Sequence, residues 1–465
     1  MASHSTRQAV VLATETSAAF SKDGRQVPLA QTRVGGITLL KRSLLTLDRQ
    51  GIRRFAVVTA GGPDAERARA EAARDPQLQA LDISWTVNEE RPEDDGYSVL
   101  LGGQTLGDDF LVVPADRIFD PKIAGALVAA RSDGTRLVVS RVVASGSSQS
   151  SSQSSFTGLM RGGRALMRSL RRREARRESM LLADVLTDFA SADRLGVVDV
   201  EDAYVQVVRD PSSRKNADAT LLRALRKPVD GLVARYVNRV FSLAVTRLLR
   251  NTPVTPNQIT AVSFGVAALG GLTCAQATVA HPGWLVLGAL LWQLASMLDG
   301  VDGELARLKF SGSSLGEWLD TLSDDMGRIV FFVGAGIGTS AVFGSSVWMV
   351  VLALCVVAQL GTSIPIYRKL LQAGSGSHFA LDWNDPADQG SAWKRFKDRF
   401  GFFGRRDTYI AMWLIFALLG LLKVGIVLTA TVTFFVLINE LLSPRQGRGG
   451  VVAAERKPAG TVLTR

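Results

Sequence analysis

Six apolar stretches lie in the second half of this 465-residue chain: Ala261–Ala280, Trp284–Leu298, Ile329–Ala341, Val347–Pro365, Tyr409–Leu422 and Val424–Ile438. Crossing a bilayer core takes about 20 apolar residues, and each stretch reaches that length once its flanking polar helix is included. Six transmembrane helices are therefore expected, because only helix or closed barrel satisfies backbone polar groups inside lipid. A mean hydropathy of +0.16 in a chain with 21% charged residues fits this segregation of apolar from polar sequence. The loops near Thr278–Pro282 and Thr339–Ser346 carry no Lys or Arg, whereas Arg368–Arg406 and the tail from Arg445 are rich in them. The positive-inside bias then puts both termini on the cytoplasmic side, with Trp284 and Trp348 as aromatic anchors at the uncharged ends. Arg235–Arg250 reads as a basic helix along the cytoplasmic face.

The first half reads differently. Short apolar runs at Ala9–Ala13, Phe55–Thr59, Ile83–Val87, Phe110–Val113 and Arg136–Val143 alternate with helical segments such as Leu39–Gln50. This is the pattern of a largely parallel, doubly wound α/β sheet, whose function lies at the strand C-termini. Met1–Ala13 holds one Arg and too short an apolar core for a signal peptide, so this half is expected to stay in the cytoplasm. Cys274 and Cys355, the two cysteines, sit in apolar runs and argue against a disulfide framework or a thiolate metal site. The expected domains are 1–228, a membrane domain at 229–445 with a juxtamembrane helix at 229–250, and a disordered basic tail at 446–465.

Within the first half, 144–178 is expected to be a flexible connection. It opens with the Ser/Gln run Ala144–Phe156 and continues through Arg161, Arg164, Arg168, Arg171, Arg172, Arg173, Arg176 and Arg177, interleaved with Leu159, Met160, Leu166, Met167 and Leu170. A basic amphipathic helix on an anionic membrane surface accounts for that pattern, as does a solvated charge run. Nucleic acid is not an expected partner.

The chemistry is concentrated in Asp299-Gly-Val-Asp302-Gly303-Glu-Leu-Ala306-Arg307, followed by Gly316, Asp320 and Asp324. Asp299 and Asp302 share one helix face, as do Asp320 and Asp324, and the short link Leu308–Leu315 makes their helices antiparallel neighbours, so all four carboxylates are expected to converge. Like charges in low dielectric stay ionised only beside cations. Oxygen donors without His or Cys select Mg²⁺, Mn²⁺ or Ca²⁺ over zinc, and a pair of such ions can clamp a diphosphate for in-line phosphoryl transfer. Gly303 lets a ligand approach the helix backbone, and Arg307 can supply charge to a phosphate.

Asp299–Asp324 matches every specified position of D-x2-D-G-x2-A-R-x8-G-x3-D-x3-D, and in this the chain resembles the CDP-alcohol phosphotransferase family. The resemblance implies six membrane helices, a cytoplasmic active site and, commonly, a homodimer. It further implies that Asp299, Asp302 and Asp320 bind two divalent ions, Mg²⁺ or Mn²⁺, that hold the CDP diphosphate. Asp324 would be the base for the acceptor hydroxyl and a further ligand, while Pro256, Asn257, Asp302, Gly303, Ala306 and Arg307 would line the CDP/CMP site. Lys227–Gly231, Arg235–Arg239 and Thr252–Asn257 resemble the junction of the bifunctional inositol-1-phosphate cytidylyltransferase / di-myo-inositol-phosphate-phosphate synthases. In those, a nucleotidyltransferase-like domain makes CDP-inositol and the membrane domain transfers its phosphoinositol to inositol phosphate. Val34-Gly35-Gly36, Asn88, Gly96-Tyr97-Ser98, Pro114-Ala115-Asp116 and Val198-Asp199-Val200 fall where that first domain would have them, with Asp116 and Asp199 as its metal ligands.

Two departures stand out. A triphosphate needs a Gly-rich loop after the first strand, but Ala13–Phe20 contains no glycine and places Glu15 there. The lysine of the family's Pro-Lys-Pro segment is replaced near Pro28-Leu29. The first domain is therefore expected to be a scaffold or regulatory module without cytidylyltransferase activity, unless Lys22 or Arg25 substitutes. For an acceptor phosphate, Lys309, Arg368 and Arg406 are candidates, though each also fits a positive-inside topology residue. Asp325 lies outside the motif. A lipid acceptor, as in phosphatidylinositol-phosphate-type synthesis from CDP-diacylglycerol, and a non-catalytic metal-binding scaffold are the alternatives to phosphoinositol transfer.

Overall fold

The computed structural model describes residues 6–21, 23–130, 134–144, 155–226, 231–377 and 405–442. The Ser/Gln run at 145–154, the segment 227–230 and the tail at 446–465 lie outside the described residues. Contacts divide the chain into two compact units, 1–223 and 224–465.

The first unit is built on a seven-stranded sheet. Its strands are β1 (Gln8–Ala13), β2 (Arg54–Ala60), β3 (Asp82–Asn88), β4 (Asp109–Pro114), β5 (Leu137–Val143), β6 (Ser155–Gly163) and β7 (Leu195–Glu201), in spatial order β7-β5-β6-β4-β1-β2-β3. β1 runs parallel to β2 and β4, β2 to β3, and β5 to β7, while β6 is antiparallel to both its neighbours. The continuous apolar runs of β1, β2 and β4 are buried because helices cover the sheet. Those helices include α1 (Leu39–Arg49), α2 (Pro63–Arg74), α3 (Asp95–Gly103), α4 (Pro121–Ala129), α5 (Arg164–Arg176), α6 (Leu182–Ser191) and α7 (Pro211–Ala224). The expected α/β class is what the structure contains.

The Arg-rich segment corrects an expectation. From Ser155 it is not a flexible connection: β6 is a central strand, and α5 puts Ala165, Leu166, Met167 and Leu170 into the main core of the unit. Gly103 of α3 makes room, since a Cβ there would lie 2.6 Å from Met167 Sδ. Several arginines have local work. Arg161 is buried, donates to both carboxylate oxygens of Asp109 at 2.9 and 2.6 Å and reaches the Val128 carbonyl at 3.1 Å. Arg164 pairs with Asp108, and Arg173 with Asp188 at 2.5 Å. The apolar face that could have lain on lipid is covered by protein.

The second unit begins with an irregular turn of helix at Ala234–Asn238 that runs into α8 (Arg239–Leu249). There follow α9 (Pro256–Ala275), α10 (Gly283–Lys309), α11 (Ser314–Phe343), α12 (Val347–Ala373), α13 (Arg406–Leu418) and α14 (Leu422–Leu442). Among the described residues, α9 to α12 are four helices long and apolar enough to cross a membrane, and Leu422–Ile438 is a shorter apolar helix. α9 packs against both α10 and α11 with almost no side chain between. A Cβ on Gly334 would stand 1.9 Å from the Gly271 carbonyl oxygen, and one on Gly338 1.9 Å from that of Cys274. Such small-residue contacts bring helices together in lipid, where no hydrophobic drive between them exists. An aromatic core closes the bundle, with Trp292 stacked on Phe331 at 3.8 Å and Trp413 edge-on to both.

Candidate active site

The signature acids come from two helices joined by a tight turn. Phe310 leaves α10 in the left-handed region (φ 58°), and the Ser313 side chain caps α11 by accepting the Gly316 amide at 3.0 Å. One carboxylate oxygen from each of Asp299, Asp320 and Asp324 then lies within 4.8 Å of the others. Asp302 departs from the expected four-fold convergence. It is 7% exposed and held by α9, whose Thr260 hydroxyl donates to its Oδ2 at 2.5 Å, while the Gly303 amide donates to Oδ1.

Arg406, at the start of α13, donates through Nη1 to Asp299 at 3.1 Å and also to Asp324. Sequence reasoning left it as an acceptor candidate, whereas the structure seats it among the acids. Lys309 is also placed differently, because its Nζ donates to the Thr252 and Val254 carbonyls at 2.8 and 3.0 Å. It ties the loop before α9 rather than a ligand. Arg368 is exposed near the C-terminal end of α12.

The remaining motif positions explain each other sterically. Thr255 and Gln258 form a capping box that starts α9 with Pro256 in its first turn. Asn257 then meets Gly316, where a Cβ would be 2.9 Å from its Oδ1. Gly303 leaves space for the Arg307 guanidinium, 3.1 Å from where its Cβ would stand, and the Ala306 carbonyl accepts the Ser311 amide at 3.0 Å in the turn. Asp299 and Asp324 line a narrow cleft between α9, α10, α11 and α13. A donor set of carboxylates without imidazole or thiolate fits a hard divalent cation.

Glu304 was missed. It is fully buried on α10 and accepts from Arg239 Nη1 at 2.7 Å, Ser242 Oγ at 2.6 Å and Thr246 Oγ1 at 2.6 Å, all on α8. Asn238 adds an acceptor for Gln293 at 2.9 Å. A polar stripe at Arg239, Ser242 and Thr246, with Arg247 the one other polar residue of α8, was the available signal.

In the first unit the structure separates the two acids expected to share a metal. Asp116, just past β4, is buried and accepts from Arg117 Nε and Nη2 at 2.6 and 3.1 Å. Asp199 lies on the edge strand β7, paired with Arg141 at 2.6 and 2.8 Å, and that hydrogen bonding holds its carboxyl below the usual range. Three strand spacings, roughly 14 Å, lie between β4 and β7. Beside Asp116, burial and then the Asp116 charge itself push the Glu15 carboxyl upward. Asn88 spends its side chain on Arg91 and Ser98.

The family model for CDP-alcohol phosphatidyltransferases matches residues 253–438, which include α9 to α13, the cleft and all four acids. Residues 253–438 thus form a CDP-alcohol phosphatidyltransferase domain. The chain is a transferase with helices long and apolar enough to cross a membrane, and this domain family generally uses divalent metals. It is 29% identical over 350 residues to the "Bifunctional IPC transferase and DIPP synthase" of Rubrobacter xylanophilus, covering 71% of this chain and 77% of that protein. The protein of that name from Aquifex aeolicus is 25% identical over 88% of this chain and 91% of its own. A phosphatidylinositol phosphate synthase of Corynebacterium glutamicum is 30% identical over 33% of this chain and 65% of its own. Among solved structures, the inositol-1-phosphate CTP transferase from T. maritima is similar to 46% of the chain, covering 93% of its own, with a TM-score of 0.38 and 18% identity.

Proposed function

We propose that the membrane unit transfers phosphoinositol from CDP-inositol to a hydroxyl of inositol 1-phosphate, releasing CMP. The observation that carries this is the set of three carboxylates, Asp299, Asp320 and Asp324, within 4.8 Å of one another, two of which, Asp299 and Asp324, line a cleft. Similarity along both units to the bifunctional proteins supports the inositol chemistry. Asp299, Asp302, Asp320 and Asp324 would hold two Mg²⁺ or Mn²⁺ ions, whose charge would neutralise the diphosphate. Pro256, Asn257, Gly303, Ala306 and Arg307 would hold the CMP half. Asp324 takes the proton of the acceptor hydroxyl as that oxygen attacks the β-phosphorus. The bond from this phosphorus to the bridging oxygen breaks, and the bridging oxygen leaves with its electron pair as part of CMP. Six membrane helices with both termini cytoplasmic, and a homodimer, complete the proposed arrangement in the cell membrane.

The first unit is proposed to lack cytidylyltransferase activity. Its first loop has no glycine, Asp116 is neutralised by Arg117, and Asp199 is a sheet-edge residue.

The test is CMP release by the purified protein with Mg²⁺, CDP-inositol and either inositol 1-phosphate or diacylglycerol, with Asp324→Asn as control. Release that requires inositol 1-phosphate, stops in the variant and stops with EDTA is expected. Release only to lipid, or only when CDP-diacylglycerol replaces CDP-inositol as the donor, would move the protein to phospholipid synthesis, and metal binding without turnover would make it a scaffold. CTP and inositol 1-phosphate alone are expected to yield no CDP-inositol.

A further inference from the structure

The cleft does not end at the acids. Beyond Asp324 its wall includes Ser323, Arg328 and Tyr409, over a floor formed by Trp292 and Phe264. Arg328 stands one helical turn from Asp324 on the same face of α11, and its guanidinium lies 5.7 Å over the Tyr409 ring. An arginine in a membrane helix needs strong compensation, yet the ion pair to Asp325 is long at 3.7 Å. Asp325 is already engaged by α12, accepting from Gln359 at 3.2 Å, Ser363 at 2.7 Å and Tyr367 at 2.6 Å. Among the described residues, Arg328 Nε and the Tyr409 hydroxyl are both buried without a hydrogen-bond partner. Two unpartnered donors, one on a cation, therefore flank one end of a cleft whose other end holds the acids.

We infer that Arg328 and Tyr409 form an oxyanion subsite for the phosphate of a phosphorylated polyol acceptor, an inference that rests on the transfer reaction proposed above. The guanidinium offers planar, charged donors that suit phosphate oxygens, and the phenol adds a neutral donor. Asp324 and Arg328 are separated by one turn, about 5.4 Å along the helix. An acceptor anchored there presents its hydroxyl to Asp324, whereas a neutral lipid alcohol leaves the subsite unused. Arg406 remains with Asp299 and Asp324, so the two arginines of the cleft have different work.

The experiment uses the full chain in detergent with Mg²⁺. Calorimetric titration of inositol 1-phosphate and of inorganic phosphate into wild type, Arg328→Gln, Arg328→Lys and Tyr409→Phe comes first, because it needs no turnover. Arg328→Gln is expected to weaken both ligands by about tenfold or more, the loss of a charged hydrogen bond, with Arg328→Lys recovering part and Tyr409→Phe losing less. In turnover, KM for the acceptor rises by the same factor while KM for CDP-inositol stays within about twofold. Inorganic phosphate competes with the acceptor in wild type and not in Arg328→Gln. No phosphate binding by wild type, equal binding by the folded variants, or a fall in kcat with acceptor KM unchanged would overturn the subsite. If Arg328→Gln fails to fold, Tyr409→Phe and phosphate competition in wild type decide instead. Absence of CMP release by wild type, with phosphate binding lost in Arg328→Gln, would overturn the transfer reaction and leave the subsite standing.

Discussion

In the first unit Asp116 has Arg117 as its ion-pair partner and Asp199 has Arg141, each through two hydrogen bonds. In the membrane unit Asp299 and Asp324 share the guanidinium of Arg406, with Asp320 alongside. The difference teaches where cation chemistry belongs. A carboxylate with its own arginine is finished, whereas carboxylates crowded around a shared one retain demand for positive charge that a divalent ion can meet.

The strongest way to break that comparison is to neutralise one acid in each unit. Asp324→Asn is expected to lower CMP release by about 10²–10⁴-fold, the range for loss of a positioned base, while Asp116→Asn leaves release unchanged. A matching loss in Asp116→Asn would mean that the first unit takes part in transfer. Next come the cations. Arg117→Ala strands the buried Asp116 carboxylate and should destabilise the first unit by about 3–5 kcal/mol, with or without Mg²⁺. Arg406→Ala should lower the melting temperature of the membrane unit without Mg²⁺ and regain much of it when Mg²⁺ is added, which thermal unfolding in detergent would show. Equal Mg²⁺ responses would erase the distinction between the two regions.

A third variant sharpens the comparison inside the membrane unit. Glu304→Ala removes the acceptor for three α8 groups and breaks a buried ion pair, at a cost of about 3–5 kcal/mol. Glu304→Gln keeps an acceptor and should lose less, judged by protease sensitivity around Arg239–Leu249. The smallest effect concerns pH. Burial raises the Asp95 carboxyl above its ordinary 3.8 even though it accepts from the Leu182 and Gly96 amides. The folded first unit thus binds this proton more tightly than the unfolded chain, so its stability falls as pH rises from 3.8 through the raised value and stays lowered at neutrality. Asp95→Asn lacks that dependence. Its advantage over wild type should be greatest near neutral pH and fade on acidification, read by hydrogen exchange of the first unit's core amides.

The positions of the five expected strands and the placement of the acids on paired helices were legible because alternation and short-range spacing are local properties. The fate of the Arg-rich stretch was not. Ala165, Leu166, Met167 and Leu170 mark one apolar face, but periodicity reveals a face and not what covers it, and here α3 and α6 cover it instead of lipid. Arg406 escaped for another reason. It lies 107 residues from Asp299, and an arginine at a helix start looks alike whether it meets a headgroup, a phosphate or a buried acid. Glu304 sits at an unspecified position inside the signature, and the three groups that explain it lie 58 to 65 residues earlier. Asp302 misled through geometry, since sharing a face with Asp299 does not fix which neighbour its carboxylate chooses, and Thr260 won.

The close approach of Gly271 to Gly334, and of Cys274 to Gly338, means that the spacing of α9 and α11 is dictated by peptide atoms. Main chain resting on main chain has no rotamers to relax. Substitutions elsewhere in the cleft can therefore reshape what it admits without shifting the frame on which the acids are mounted, so a family built this way can change its alcohols while its transfer chemistry stays put.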